Sequence, residues 1–321
     1  MKNKLFIAIC LLVLILIPYV VYPVLAMKVL CFALFACAFN LLIGYTGLLS
    51  FGHAAFFGAA AYTTGYAIQT LGVPTEGALL LGMLMGAVLG LVMGVLAIRR
   101  QGIYFSMITL ALAQMWYFVC LRLPQTGGED GLQGVARGTL FGIIDLSKDI
   151  NLYYVVLGIT VAGFAAIVRI VHSPYGQVLK AIKENEPRAI SLGYDVNRYK
   201  LLAFALSASL AGLAGATKTV VLGFATLSDV HWSLSGLVIL MTLVGGIETM
   251  AGPIVGAMLI LFLENKLGDM GNWLSVTTHI EWFSTLGESV SLVTGIIFIV
   301  CVLMFRRGIV GEVIALVSKN R

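Results

Sequence analysis

Long apolar runs constrain this chain more than any other feature of its sequence. They lie at approximately residues 5–21, 24–43, 48–71, 78–98, 103–121, 152–171, 201–224, 234–243, 254–267 and 286–305. A helix needs about 20 mostly apolar residues to cross a bilayer, and all but two of these runs approach or exceed that length. Composition agrees. Of 321 residues, 60% are hydrophobic and 11% are charged, whereas soluble domains carry roughly a quarter charged residues. The expected fold is therefore all-α: a polytopic membrane helical bundle of about eight to ten spans, with residues 1–321 forming a single transmembrane domain. The 36 glycines suit close packing or breaks in membrane helices.

Lys and Arg collect at Lys2 and Lys4, at Arg99 and Arg100, from Arg169 to Lys200, and at Arg306, Arg307, Lys319 and Arg321. By the positive-inside rule all four clusters face the cytoplasm. Even numbers of apolar runs separate them, so both termini are expected on the cytoplasmic side. The polar stretch 122–151 then becomes an extracytoplasmic loop, and 173–200 a cytoplasmic segment. The first run reads as an uncleaved span rather than a signal peptide, because it continues to Val21. Runs 234–243 and 254–267 are too short to cross alone, and "VGGIETMAGP" (244–253) lies between them. They are expected to be broken or re-entrant helices. Residues 44–65, "GYTGLLSFGHAAFFGAAAYTTG", are similarly rich in small residues.

Catalytic chemistry finds no footing. The histidines, His53, His172, His231 and His279, are scattered without a second His or Cys at metal-ligand spacing. "GLAGATKT" (212–219) resembles a phosphate loop but has Thr217 where that motif requires Gly, and it sits inside an apolar run. No cofactor and no metal is expected in this chain, and its basic charge reads as topology, not as a nucleic-acid surface. The first eight runs contain no Asp or Glu, which weighs against a proton-coupled carrier. Lys28 and Lys218, near the outer ends of their runs, are expected to snorkel toward the surface.

The charged segment "SPYGQVLKAIKENEPRAISLGYDVNRYK" (173–200) has structure of its own. Ser173 suits an N-cap and Pro174 the first helical position, while Pro187 stops the helix near Asn185. A second, shorter helix begins there and ends at Gly193, a residue suited to the left-handed position past a helix end. Tyr175, Val178, Leu179 and Ile182 form one apolar stripe. The pattern alone leaves two readings level: a helix pair that presents charge to a partner, or a basic topology loop that happens to be helical.

This segment and the span after it closely resemble the cytoplasmic coupling region of LivM-type permeases, the membrane subunits of branched-chain amino-acid ABC importers. "NLLIGYTGLLSFGHAAFFGAAAY" (40–62), "TGGEDGL" (126–132) and "GGIETMAGPIVGA" (245–257) are similar to the same family. The resemblance implies an ATP-driven importer of Leu, Ile and Val or related apolar amino acids in the bacterial inner membrane. A urea or amide permease is the nearest alternative; an ion-coupled carrier acting alone is the alternative from another class. It also implies partners: a LivH-type permease, two ATPase subunits that hold ATP and Mg²⁺, and a periplasmic amino-acid-binding protein. Ala181, Glu184, Asn185, Glu186, Arg188, Ala189 and Gly193 would couple to an ATPase. Gly44, Gly47, Ser50, Gly52 and His53, with Gly245 and Gly246, would line the translocation pathway, where free backbone groups could meet the substrate's ammonium and carboxylate. His53 also reads as a packed histidine between helices. Gly127, Gly128, Glu129 and Asp130 would face the binding protein.

Overall fold

The computed structural model describes residues 13–19, 21–278, 293, 295–296, 299, 303 and 308–319. Most of the first and last apolar runs therefore lies outside the described residues. The helices are α1 (Pro23–Thr46), α2 (His53–Gln69), α3 (Thr75–Ala97), α4 (Ile103–Arg122), α5 (Asp149–His172), α6 (Pro174–Glu184), α7 (Glu186–Ser191), α8 (Val196–Leu222), α9 (Trp232–Gly245), α10 (Gly252–Thr278) and α11 (Gly308–Lys319). Among the described residues, α1, α3, α4, α5 and α8 are long and apolar enough to cross a membrane. The chain is an all-α, polytopic membrane bundle with almost no sheet.

Two compact units divide the chain, Met1–Gly236 and Leu237–Arg321. In the first, α8 is the axis, and α1, α2 and α3 pack along it. Lipid offers no hydrophobic gain for joining helices, so close approach of small residues does that work. Gly82, Gly86, Gly90 and Gly94 repeat every fourth position on α3 and form a groove for α8. A Cβ at Gly86 would lie 2.7 Å from the Ala208 carbonyl oxygen and 3.0 Å from Gly212 Cα. The α2 side is tighter still, since a Cβ at Gly215 would lie 2.0 Å from the Phe57 carbonyl oxygen. The opposite face of α3 exposes Leu84, Val88, Leu91 and Val95, as a lipid-facing side must. α1 is buried along nearly its whole length between α8 and α5.

Hydrogen bonds identify the two ends of this unit. At one end, Lys183 of α6 reaches the last turn of α1. At the other, Thr75, at the start of α3, donates to the Arg137 carbonyl. Four short strands stiffen the second end. β1 (Leu132–Gln133) pairs antiparallel with β4 (Phe224–Ala225), Leu132 opposite Ala225, while β2 (Thr139–Leu140) and β3 (Ile144–Asp145) form a hairpin.

In the second unit, α10 departs from the expectation of a short segment. It runs unbroken from Gly252 through Thr278, well past Leu267. Glu264, Lys266 and Asp269 ended the apolar pattern there, but charged residues interrupt hydropathy without interrupting a helix. Residues 246–251 separate it from α9, and glycines permit the close return: a Cβ at Gly256 would lie 1.8 Å from the Met241 carbonyl oxygen.

The glycine seam makes a prediction. Gly215→Ala should overpack the α2–α8 contact and cost about 1–3 kcal/mol or more. Gly158→Ala on α5, where a Cβ meets nothing within 4 Å, should leave stability level or raised by up to about 1 kcal/mol. Thermal unfolding of both variants in detergent distinguishes them.

Candidate functional site

Five of the expected pathway residues lie in or beside the break between α1 and α2. Gly44 lies in the last turn of α1, and Gly47 closes that helix with a φ of 74°, its N–H reaching the Ile43 carbonyl at 3.2 Å. Ser50 is fully buried and its hydroxyl accepts the Gly52 N–H at 3.1 Å. The Phe51 N–H donates to Thr109 Oγ1 at 3.1 Å, and the Ser106 hydroxyl donates to the Leu49 carbonyl at 2.6 Å. At the start of α2, the Ala54 N–H donates to Ser235 Oγ at 2.9 Å. These backbone groups of the break are thus engaged by the protein's own hydroxyls. Ser106 and Thr109 stand three apart on one face of α4, a spacing visible in the sequence; their partners more than 50 residues away are not.

His53 opens α2 and is completely buried. Its Nε2 lies 2.9 Å from Ser207 Oγ, and that hydroxyl donates to the Ala38 carbonyl. Ser207 must therefore accept, so Nε2 carries the proton and Nδ1 is a bare acceptor with no partner among the described residues. Phe39, Phe56 and Phe204 box the ring edge-on at 4.9, 5.4 and 6.0 Å between centroids. His53 ties α2 to α1 and α8 through Ser207. Gly245 and Gly246 belong to the second unit, at the turn after α9, where Gly246 has a φ of 123°.

The charged segment forms the expected helix pair at the same end of the first unit as this break. Ser173 Oγ accepts the Gly176 N–H at 3.3 Å, and Asn185 Oδ1 accepts the Arg188 N–H at 3.1 Å, capping α6 and α7 in turn. Ile182, Ala189 and Val196 make a small core under Val178 and Tyr199. The Tyr175 hydroxyl donates to the Tyr199 carbonyl at 2.9 Å while the two rings stack 5.6 Å apart. Burial, with Tyr199 alongside, pushes the Tyr175 phenol pKa up. Glu186 pairs with the buried Lys200 at 2.7 Å. Lys183 Nζ donates to the Gly44 carbonyl at 2.8 Å, a cation on the negative end of α1. Of the seven expected coupling residues, Asn185, Glu186 and Ala189 thus hold the pair together. Ala181, Glu184, Arg188 and Gly193 are exposed, and Gly193 takes the left-handed conformation with a φ of 88°. Beside them stand Ile190 and Leu192, 58% and 69% exposed, which the apolar stripe of α6 did not reveal.

At the opposite end, Gly127, Gly128 and Gly131 all have positive φ. A Cβ at Gly131 would lie 2.4 Å from the Ala225 carbonyl oxygen, so this glycine lets the loop press onto β4. Glu129 and Asp130 are exposed at the tip. Arg137 fastens the loop, with Nη1 2.6 Å from Asp149 and Nη2 donating to the Val221 carbonyl at 3.0 Å. Lys218 corrects the snorkelling expectation. It is 4% exposed, and its ammonium turns inward to Asp229 at 2.6 Å. Asp229 falls outside the apolar runs, in the turn after α8, so the pattern of runs concealed the pair.

A family model described as branched-chain amino acid transport system / permease component matches residues 24–303. The high-affinity branched-chain amino acid transport system permease protein LivM of Escherichia coli (strain K12) is 27% identical over 257 residues, 73% of this chain and 60% of that protein. The chain therefore aligns with about 60% of the length of that relative. The protein of the same description from Salmonella typhimurium is 26% identical over 299 residues, 85% of this chain and 70% of its own. Among solved structures, PsaBC from Streptococcus pneumoniae in complex with Fab matches with a TM-score of 0.41 and 14% identity, covering 91% of this chain and 95% of that one.

The pinned break yields a second prediction. Thr109→Val deprives the half-buried Phe51 N–H of its acceptor and should cost about 1 kcal/mol or more, whereas Thr109→Ser keeps the oxygen and most of the stability. Thermal unfolding of the two variants in detergent reads the difference.

Proposed function

The chain belongs to the family of branched-chain amino acid transport system permease components, and on that basis we propose that it is the translocating subunit of an ATP-driven importer in the bacterial inner membrane. Its cargo is Leu, Ile, Val or a related apolar amino acid. It works with a second, LivH-type permease, two ATPase subunits that bind ATP and Mg²⁺, and a periplasmic amino-acid-binding protein. The chain itself is not an enzyme. Its α6–α7 end faces the cytoplasm, in keeping with the charge clustered there, and Gly127, Gly128, Glu129 and Asp130 face the binding protein.

One observation carries the coupling role: α6 and α7 are bonded on their inner side to α1 and α8 and leave an outer face of mixed chemistry. Lys183 joins the pair to the Gly44 carbonyl, and Glu186 joins it to Lys200. Outward stand Glu184, Arg188, Ile190 and Leu192. A topology loop needs only its positive charge; a loop braced on one side and apolar on the other suits a docking surface with a buried centre and a charged rim. Because Lys183 holds the end of α1, displacement of the pair pulls directly on Gly44–Gly52. That link connects the ATPase contact to the break where Gly44, Gly47, Ser50, Gly52 and His53 sit. The pathway runs beside this break.

Leucine uptake into proteoliposomes tests this reading, with the partner permease and ATPases reconstituted, the binding protein outside and ATP inside. Glu184→Lys and Ile190→Glu should each lower ATP-dependent uptake by about tenfold or more, the scale of losing a central interface contact, while the chain inserts and unfolds as wild type does. Undiminished uptake in both, or in Glu184→Lys/Arg188→Glu, would remove the coupling role. Uptake by this chain alone without ATP would overturn the importer.

A further inference from the structure

The end of the bundle opposite α6–α7 holds a buried charge pair to which the coupling mechanism gives no role. Lys218 lies in the last turns of α8, about 27 Å along the helix from Lys200 at 1.5 Å per residue. Its ammonium is 2.6 Å from Asp229 Oδ2, with the two side chains only 5% and 9% exposed. The same carboxylate oxygen accepts from the Thr226 N–H at 3.0 Å and hydroxyl at 3.2 Å, and the ammonium stands 4.6 Å from the centre of the Phe224 ring. A pair of this kind is a poor source of stability, since apolar residues of similar volume serve as well. Separating it without replacement partners is severely unfavourable, because each charge is then buried alone.

Two unused donors stand beside it. Gly58 of α2 packs on Asp229, where a Cβ would come within 2.8 Å of the Asp229 carbonyl oxygen. Tyr62 is one turn further along the same face and packs with Ala225 and Val230. It is 4% exposed, and its hydroxyl has no hydrogen-bond partner among the described residues. Trp116 of α4 lies against the same cluster, and its indole N–H is likewise buried without a partner there. Buried donors are normally satisfied. Two unsatisfied ones, packed with Ala225, Leu227 and Val230 around the turn that carries Asp229, leave hydrogen-bonding capacity that a polar ligand can take up.

We propose that Lys218, Asp229, Tyr62 and Trp116 form a latch that opens by binding a zwitterionic α-amino acid. The ligand's carboxylate replaces Asp229 as the partner of Lys218 and takes the Tyr62 and Trp116 hydrogen bonds. Its ammonium replaces Lys218 as the partner of Asp229. Each buried charge exchanges one partner for another, so the pair separates without being left uncompensated. Phe224, Leu227 and Val230 offer an apolar wall to the ligand's side chain. Urea carries neither charge and cannot make the exchange, so the latch selects amino acids over amides. The substrate class rests on the importer reading; the site itself does not.

Two measurements on the full chain decide the matter. In the first, millimolar L-leucine should raise the thermal unfolding midpoint of the purified wild-type chain while urea at the same concentration does not. Lys218→Met/Asp229→Leu and Tyr62→Phe should fold but lose or weaken that protection. In the second, with the importer reconstituted, Tyr62→Phe should raise the half-saturating leucine concentration about tenfold with little change in maximal rate, the scale of one hydrogen bond to a charged group. Because the hydroxyl has no hydrogen-bond partner among the described residues, a structural role predicts no effect at Tyr62, and this variant decides the question even if the double variant fails to assemble. Variants that match wild type in both measurements overturn the latch. Leucine protection without ATP-dependent uptake in wild type would overturn the importer and leave the latch standing.

Discussion

Everything in the first unit depends on how closely other helices approach α8. A bilayer leaves backbone polar groups without water, so they must be satisfied internally, and it offers helices little hydrophobic reason to associate. Small residues solve the second problem and create the conditions for the first. Because Gly82 through Gly94 and Gly215 let α3 and α2 lie nearly backbone to backbone on α8, the interior is narrow. Short hydroxyl side chains can then cross it: Ser207 reaches both His53 and Ala38, and Thr64 reaches the Ala78 carbonyl at 3.1 Å. Without the hydroxyls of Ser106 and Thr109 on α4 and Ser235 on α9, the break between α1 and α2 would lose its partners. A broken helix at membrane depth would then carry exposed amides.

The same axis gives the two ends of the unit different mechanical characters. At the α6–α7 end, the contacts of Lys183 and Glu186 join flexible side chains to α1 and α8. Such contacts transmit displacement while tolerating changes of angle. The opposite end is stiffer. β1 pairs with β4, and Arg137 bridges α5 to the end of α8. The break between α1 and α2 lies at the first end, where Lys183 meets the Gly44 carbonyl.

Legibility of this molecule from its sequence follows the range of each interaction. The α6–α7 pair was readable nearly to the residue, because Ser173, Pro174, Asn185 and Gly193 act on neighbours three or four positions away. The bundle class was readable because burial in lipid marks every residue of a run. The hydroxyls that pin 48–52 were not, since Thr109 and Phe51 are 58 positions apart and a threonine in an apolar helix has many possible acceptors. Lys218 shows the limit most clearly. Hydropathy placed it near a helix end, and a lysine there can extend to the surface or turn inward; Asp229, eleven residues on and across a turn, decides between them.

Glu186 and Ala189 show how the same limit applies to function. The family resemblance marked both as contacts for an ATPase; within the chain, Glu186 pairs with Lys200 and Ala189 joins the small core under Tyr199. A short helix of six residues has too little face to divide between fold and partner without each position serving one. Once Ala189 turns inward and Glu186 is drawn to Lys200, Arg188, Ile190 and Leu192 must turn outward. Their exposure is therefore a consequence of how the pair is held on, and the residues that brace the segment determine which ones it can offer.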